Sequence, residues 1–91
     1  MRAIERTTRF KRDYKREKKT DPQLDDDLLP VLEVLAADTA LPDRLRDHAL
    51  TGEWKGFRDC HVRPNLVLIY EKIGKDVLSL ARLGSHSELF N

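Results

Sequence analysis

Four side chains in this sequence are suited to moving protons: His48, His61, His86 and Asp59. A histidine, with a reference pKa near 6.5, can accept or donate a proton at neutral pH, and an adjacent carboxylate can orient it. Asp59, Cys60 and His61 fall within three residues, just ahead of the run Leu66-Val67-Leu68-Ile69-Tyr70. Three readings compete there: a metal site, a catalytic pair, or ordinary solvent-facing positions of a half-buried strand. If the stretch is a strand, Asp59 and His61 share one face, about 7 Å apart, and Cys60 points the other way. Cys60 and His61 then cannot turn to one ion, and no closely spaced ligand pair accompanies His48 or His86, so no metal is expected. Cys60 reads as a small buried hydrophobe with no base on its own face.

Two further residues lie near His86. Arg82 sits at the opposite parity to Ala81 and Leu83, and on the His61 face its guanidinium would suit a phosphate. Phe90 either closes the core or stacks on a base.

The elements that must position these groups follow from the pattern. Arg2–Arg6 alternates weakly, as a short first strand would. Thr7 or Thr8 can cap a helix over about 8–19, in which Phe10 and Tyr14 lie one turn apart. Asp21-Pro22 marks a second helix start, with Leu24, Leu28, Val31, Leu32 and Leu35 at helical spacing and a kink or restart expected at Pro30. The helical hairpin therefore spans about 8–38. From Glu53 onward the pattern changes to strands, at 53–62, 66–73 and 76–83, joined by Arg63-Pro64-Asn65 and Gly74-Lys75 as antiparallel hairpins require. His48 should enter the first long strand, and the tail 84–91 is too short for a stable free helix. A β-α-α-β-β-β order results, an α+β fold with the helical hairpin packed on a small antiparallel sheet.

Composition narrows the class. Ninety-one residues allow one domain with a modest core. A single cysteine leaves no internal disulfide, and neither a membrane span nor a signal-like start is seen, so a cytoplasmic protein is expected. The net charge of +1 hides segregation: residues 1–20 hold nine Lys and Arg against three acids, and residues 21–47 hold two against eight. The basic segment could contact phosphates or simply face water, and the acidic one could pair with it.

Taken together, His-x-Leu-x-Gly-x-Trp-x-Gly from His48 (with Ala49 and Leu50 as the next two residues), Arg-Asp-x-His-Val from Arg58, Leu-Ile-Tyr from Leu68 and Gly-x-His-x-x-Leu-Phe from Gly84 resemble the YafQ branch of the RelE/ParE superfamily, toxins of type II toxin–antitoxin pairs. The resemblance covers roughly residues 47–90. It implies a RelE/ParE-like microbial RNase fold and an mRNA interferase that cuts mRNA on the ribosome with no metal or other cofactor. The family's catalytic residues fall on His48, Asp59, His61 and His86, its basic residue on Arg82 and its terminal aromatic on Phe90. The family's turn acid, in His-x-x-Pro-Asp, is here an amide, Asn65. The implied partner is an antitoxin, in a heterotetramer that binds operator DNA only through the antitoxin. A same-fold toxin that inhibits DNA gyrase, or a non-catalytic RNA- or ribosome-binding module, are the alternatives.

Overall fold

Five strands and three helices make up the computed structural model, which describes residues 1–90; the last residue of the tail expected at 84–91 lies outside them. The order is β1 (Ala3–Arg6), α1 (Thr8–Thr20), α2 (Leu24–Ala36), β2 (His48–Ala49), β3 (Arg58–Arg63), β4 (Leu66–Ile73), β5 (Val77–Gly84) and α3 (His86–Phe90). The strands form one sheet in the order β1-β5-β4-β3-β2. The four later strands are antiparallel neighbours, as expected from their short connections, whereas β1 runs parallel to β5. A parallel pair needs a long crossover. Everything from α1 to β4 supplies it, which short-range pattern cannot reveal.

α1 starts where β1 ends. The Thr7 side chain accepts from the Phe10 N–H at 3.1 Å and donates to the Leu80 carbonyl at 2.8 Å, so a single hydroxyl caps the helix and ties it to β5. α2 begins at Leu24 rather than at Pro22; Asp21 instead shapes the turn before it, accepting the Gln23 N–H at 3.2 Å on its side chain. It then runs through Pro30 as one helix, where a kink or restart was expected. Its apolar stripe is fully used: Leu24, Leu28, Val31, Leu32 and Leu35 are buried with Phe10 against Cys60, Leu68, Tyr70, Leu78, Leu80 and Leu83. Lys18–Asp25 and Arg2–Asp38 are ion pairs between the basic and acidic segments.

Two expectations are corrected here. The first long strand begins at Arg58, not at Glu53, and His48 belongs to a separate two-residue strand. Gly52 and Gly56 take positive φ of 67° and 95°, which folds the segment into a loop closed by the Leu50 N–H on the Phe57 carbonyl at 2.9 Å. The tail does form a helix. Ser85 and Glu88 cap it reciprocally: the Ser85 N–H donates to Glu88 Oε1 at 2.9 Å and the Glu88 N–H donates to Ser85 Oγ at 3.3 Å.

Because Thr7 both caps and tethers α1, Thr7→Ala is expected to destabilise the fold by about 1–2 kcal/mol. Thr7→Ser, which keeps the hydroxyl, should change it far less. Urea unfolding midpoints check both.

Candidate functional site

Register places the site. His48 pairs with Asp59, Asp59 with Ile69, and Ile69 with Arg82, so these four residues form one row across β2, β3, β4 and β5. In the next row His61 pairs with Val67 and Val67 with Gly84, two residues before His86. All of this lies on the face away from the helical hairpin, where Val67, Ile69 and Leu89 make a second small core flanked by Trp54, Phe57 and Phe90.

Arg82 reaches this row because of an irregularity. The β4–β5 register shifts between Ile69 and Tyr70, which pair with Arg82 and Leu80, so Ala81 is an extra residue. Such a bulge re-aims side chains.

Asp59 is the centre of the arrangement. It is only 2 % exposed and, among the described residues, Oδ1 has no hydrogen-bond partner. His48 Nδ1 lies 3.1 Å from that oxygen and 2.7 Å from the Arg46 carbonyl. A carbonyl can only accept, so Nδ1 carries a hydrogen directed at Arg46, and Nε2 of the neutral ring keeps the lone pair. The short approach to Asp59 is thus charge proximity, not a hydrogen bond. Arg46 offers its carbonyl from a left-handed conformation, φ 52°, uncommon for a residue with a side chain. Burial pushes the Asp59 carboxyl above its ordinary range, against the opposing pull of His48, His61 and His86 in that order. All three imidazoles therefore act on one buried carboxylate.

His48 and His86 are exposed and His61 is half-buried, so all three can meet a ligand. The His86 and Phe90 rings lie 4.7 Å apart at 43°. Phe90 thus both joins the second core and touches a histidine. Cys60 is fully buried on the opposite face, and burial raises its thiol to about 12, leaving no nucleophile there. Asn65 is the outlier. It sits in the exposed β3–β4 turn and borders a depression with Glu17, Asp21, Arg63 and Leu66, none of them a histidine. Arg63 anchors that turn through Asp27 at 2.6 Å and through Asp21.

Sequence reasoning missed Asp13, a buried carboxylate on α1. Its Oδ2 accepts from Arg82 Nε at 2.6 Å and from the Leu83 N–H at 3.0 Å. Burial raises its pKa, but the Arg82 hydrogen bond, the Leu83 N–H and the charges of Arg82 and Arg16 outweigh that and hold it below the ordinary value. The available signal was a charged residue on the stripe of Phe10 and Tyr14.

The arrangement offers ring nitrogens to take and give protons, a carboxylate to tune them, and a guanidinium for an oxyanion. Among the described residues no three His, Cys, Asp or Glu side chains come together to hold a metal ion.

Comparison with known proteins gives the family. Residues 2–91 match the family described as "Bacterial toxin of type II toxin-antitoxin system, YafQ". The chain belongs to the YafQ toxin family. The mRNA interferase toxin YafQ of Escherichia coli (strain B / BL21-DE3) is 37% identical over 91 residues, 99% of this chain and 97% of that protein. The match to the putative toxin YafQ of Haemophilus influenzae is 51% identical over 51 residues, 53% of this chain, so the chain spans about half, 50%, of that relative's length. Among solved structures, a metal-bound toxin from Helicobacter pylori superposes with a TM-score of 0.89 at 42% identity, covering 99% of this chain and 100% of that one. The E. coli DinJ–YafQ complex gives 0.86 at 35%, covering 100% of both chains. The α+β class expected from sequence is thereby shown, as three helices on a mixed five-stranded sheet.

Asp59 yields a prediction about stability. Because its folded pKa is raised, the ionised form subtracts stability as pH climbs above the unfolded value near 3.8, and protonation restores it. Asp59→Asn should therefore raise the Tm at pH 7, and the gain should shrink as pH falls toward 3. Thermal unfolding across pH checks this; a lower Tm at pH 7 would contradict it.

Proposed function

We propose that this YafQ-family chain is a ribosome-dependent endoribonuclease that cuts mRNA by attack of a ribose 2′-hydroxyl on the adjacent phosphorus. The 2′-O–P bond forms and the P–O5′ bond breaks. The 2′-hydroxyl proton passes to a base, and an acid protonates the leaving 5′-oxygen. The products are a 2′,3′-cyclic phosphate and a 5′-hydroxyl end. No step calls for a metal ion or another cofactor.

The observation that carries this reading is the register that sets His48, Asp59 and Arg82 in one row and His61 in the next, with His48 Nδ1 3.1 Å from the buried Asp59 carboxylate. His48 is assigned as base, since its Nε2 keeps the lone pair. His86, exposed at the start of α3, is the acid, and His61 stabilises charge on the phosphoryl oxygens. Asp59 favours the protonated imidazoles that form during the reaction. Arg82 binds the scissile phosphate. Phe90, beside His86, stacks on a base. Asn65 can hydrogen-bond RNA from its turn but can take no proton, so the family's acid contributes nothing to proton transfer here.

The exposed cations of α1, Arg9, Lys11, Arg12, Lys15 and Lys19, form no ion pair among the described residues and would meet ribosomal RNA. Ribosomes and mRNA put this activity in the cytoplasm. The control partner is an antitoxin, as in the DinJ–YafQ complex of E. coli, assembled as a heterotetramer that reaches operator DNA through the antitoxin. A gyrase inhibitor would have no use for the three histidines around Asp59.

Cleavage of a defined mRNA on programmed ribosomes tests the reading. The parent protein should leave 2′,3′-cyclic phosphate ends, and His86→Gln should slow the reaction by about 10²-fold or more. Asn65→Asp should speed it if the carboxylate takes part in proton transfer. Intact mRNA under growth-arresting conditions would contradict the enzyme reading.

A further inference from the structure

Arg82 is not free to find a phosphate by itself, because its guanidinium is already gripped from behind. Asp13 is 2 % exposed and both of its oxygens are engaged. Oδ2 takes the Arg82 Nε–H at 2.6 Å and the Leu83 N–H at 3.0 Å; Oδ1 takes Arg82 Nη2 at 3.2 Å and Arg16 Nη1 at 3.2 Å. The pairing uses the Nε/Nη2 side of the guanidinium. The other fork, Nη1 with the second Nη2 hydrogen, has no partner among the described residues. Arg82 lines a groove with Arg9, Glu53, Trp54, Phe57, Glu88 and Leu89; Leu89 belongs to the second core and Trp54 and Phe57 pack against it, so the groove opens on the histidine face.

We infer that Asp13 is a positioning residue for RNA cleavage, holding Arg82 so that its unoccupied Nη1/Nη2 fork faces the scissile phosphate. The inference rests on the ribonuclease reading above. An arginine has a long, flexible side chain, and a bidentate contact needs the fork in one plane and at one place. Asp13 fixes both, because its carboxylate is itself held by the Leu83 backbone of the same strand, one residue from Arg82. Arg16, which also reaches Glu17 and Glu88, shares the Asp13 charge, so Arg82 is not its sole counter-ion. α1 is already docked on β5 by Thr7 on the Leu80 carbonyl, by Arg16 on the Leu83 carbonyl and by the Leu83 N–H on Asp13; the bidentate grip on Arg82 goes beyond these.

Two measurements decide the matter. The first is single-turnover cleavage of ribosome-bound mRNA by the parent, Asp13→Asn, Asp13→Glu, Arg82→Ala and the Asp13→Asn/Arg82→Ala pair. Asp13→Asn should lower the rate at saturating ribosomes about tenfold or more, with less than about a twofold change in half-saturation. Asp13→Glu, which keeps the charge but displaces the carboxylate, should share the defect. In the Arg82→Ala background Asp13→Asn should add nothing; an equal further loss there would mark a structural role and overturn the inference.

The second is the ¹⁵N NMR response of the Arg82 guanidinium to a 2′-deoxy trinucleotide that cannot be cleaved. The resonance should move in the parent and not in Asp13→Asn. No movement in the parent, or equal movement in both, would overturn the inference. A parent protein that shows the Asp13-dependent response yet leaves mRNA intact would sink the ribonuclease reading and leave the positioning role standing.

Discussion

A carboxylate buried on a sheet face, with an oxygen that no donor among the described residues reaches, is the constraint around which this molecule is arranged. Burial pushes the Asp59 carboxyl up, and His48, His61 and His86, from three different elements, oppose that rise. His48 comes from a two-residue strand, His61 from the same strand as Asp59, and His86 from the start of the last helix. An interior built for stability alone would fill this position with an apolar side chain. In this position the acid is under-solvated, which costs stability.

The rest of the fold keeps that face in place. α1 and α2 bury their stripes on the opposite side of the sheet, so the histidine face needs only a small core of Val67, Ile69 and Leu89. α1 continues where β1 stops, and this brings Asp13 beside β5 at the point where a bulge turns Arg82 toward the histidine row. Asp47 plays a similar part at the other edge, where it accepts from Tyr70 and from Arg58, at 3.1 Å, and so pins the segment that carries His48. The site is therefore suspended between two anchored carboxylates, one at each end of the row.

Much of this was legible in the sequence. Strand parity alone separated Cys60 from Asp59 and His61, and helical spacing identified the buried leucines of α2. The motifs of the family resemblance carry His48, Asp59 and His61, which the register sets in adjacent rows with Arg82 at the end of one, while their Val62, Leu68 and Tyr70 fill the core on the other face. Asn65 was legible as a departure from the family's turn but not as a residue bordering the helical hairpin, because turn geometry after a bulge at His61–Arg63 is not a property of spacing. The parallel β1–β5 pair and the Asp13–Arg82 contact were hidden for one reason: each depends on residues about 70 positions apart, whereas the bulge at Ala81 is an irregularity inside a short hairpin that strict alternation does not reveal. The helix at the C-terminal end was missed differently. Its Ser85-x-x-Glu88 capping box lies in the sequence, but a segment this short is helical only when docked, and Leu89 in the second core supplies that docking.

The central claim is that Asp59 and the histidines form one charge-coupled unit. A carboxyl ¹³C NMR titration of Asp59 in the parent and in His48→Gln tests it most directly. The midpoint is expected above the ordinary 3.8 in the parent and higher still in His48→Gln, where the largest opposing influence is gone. A midpoint at or below 3.8, or one that does not rise when His48 is replaced, would contradict it.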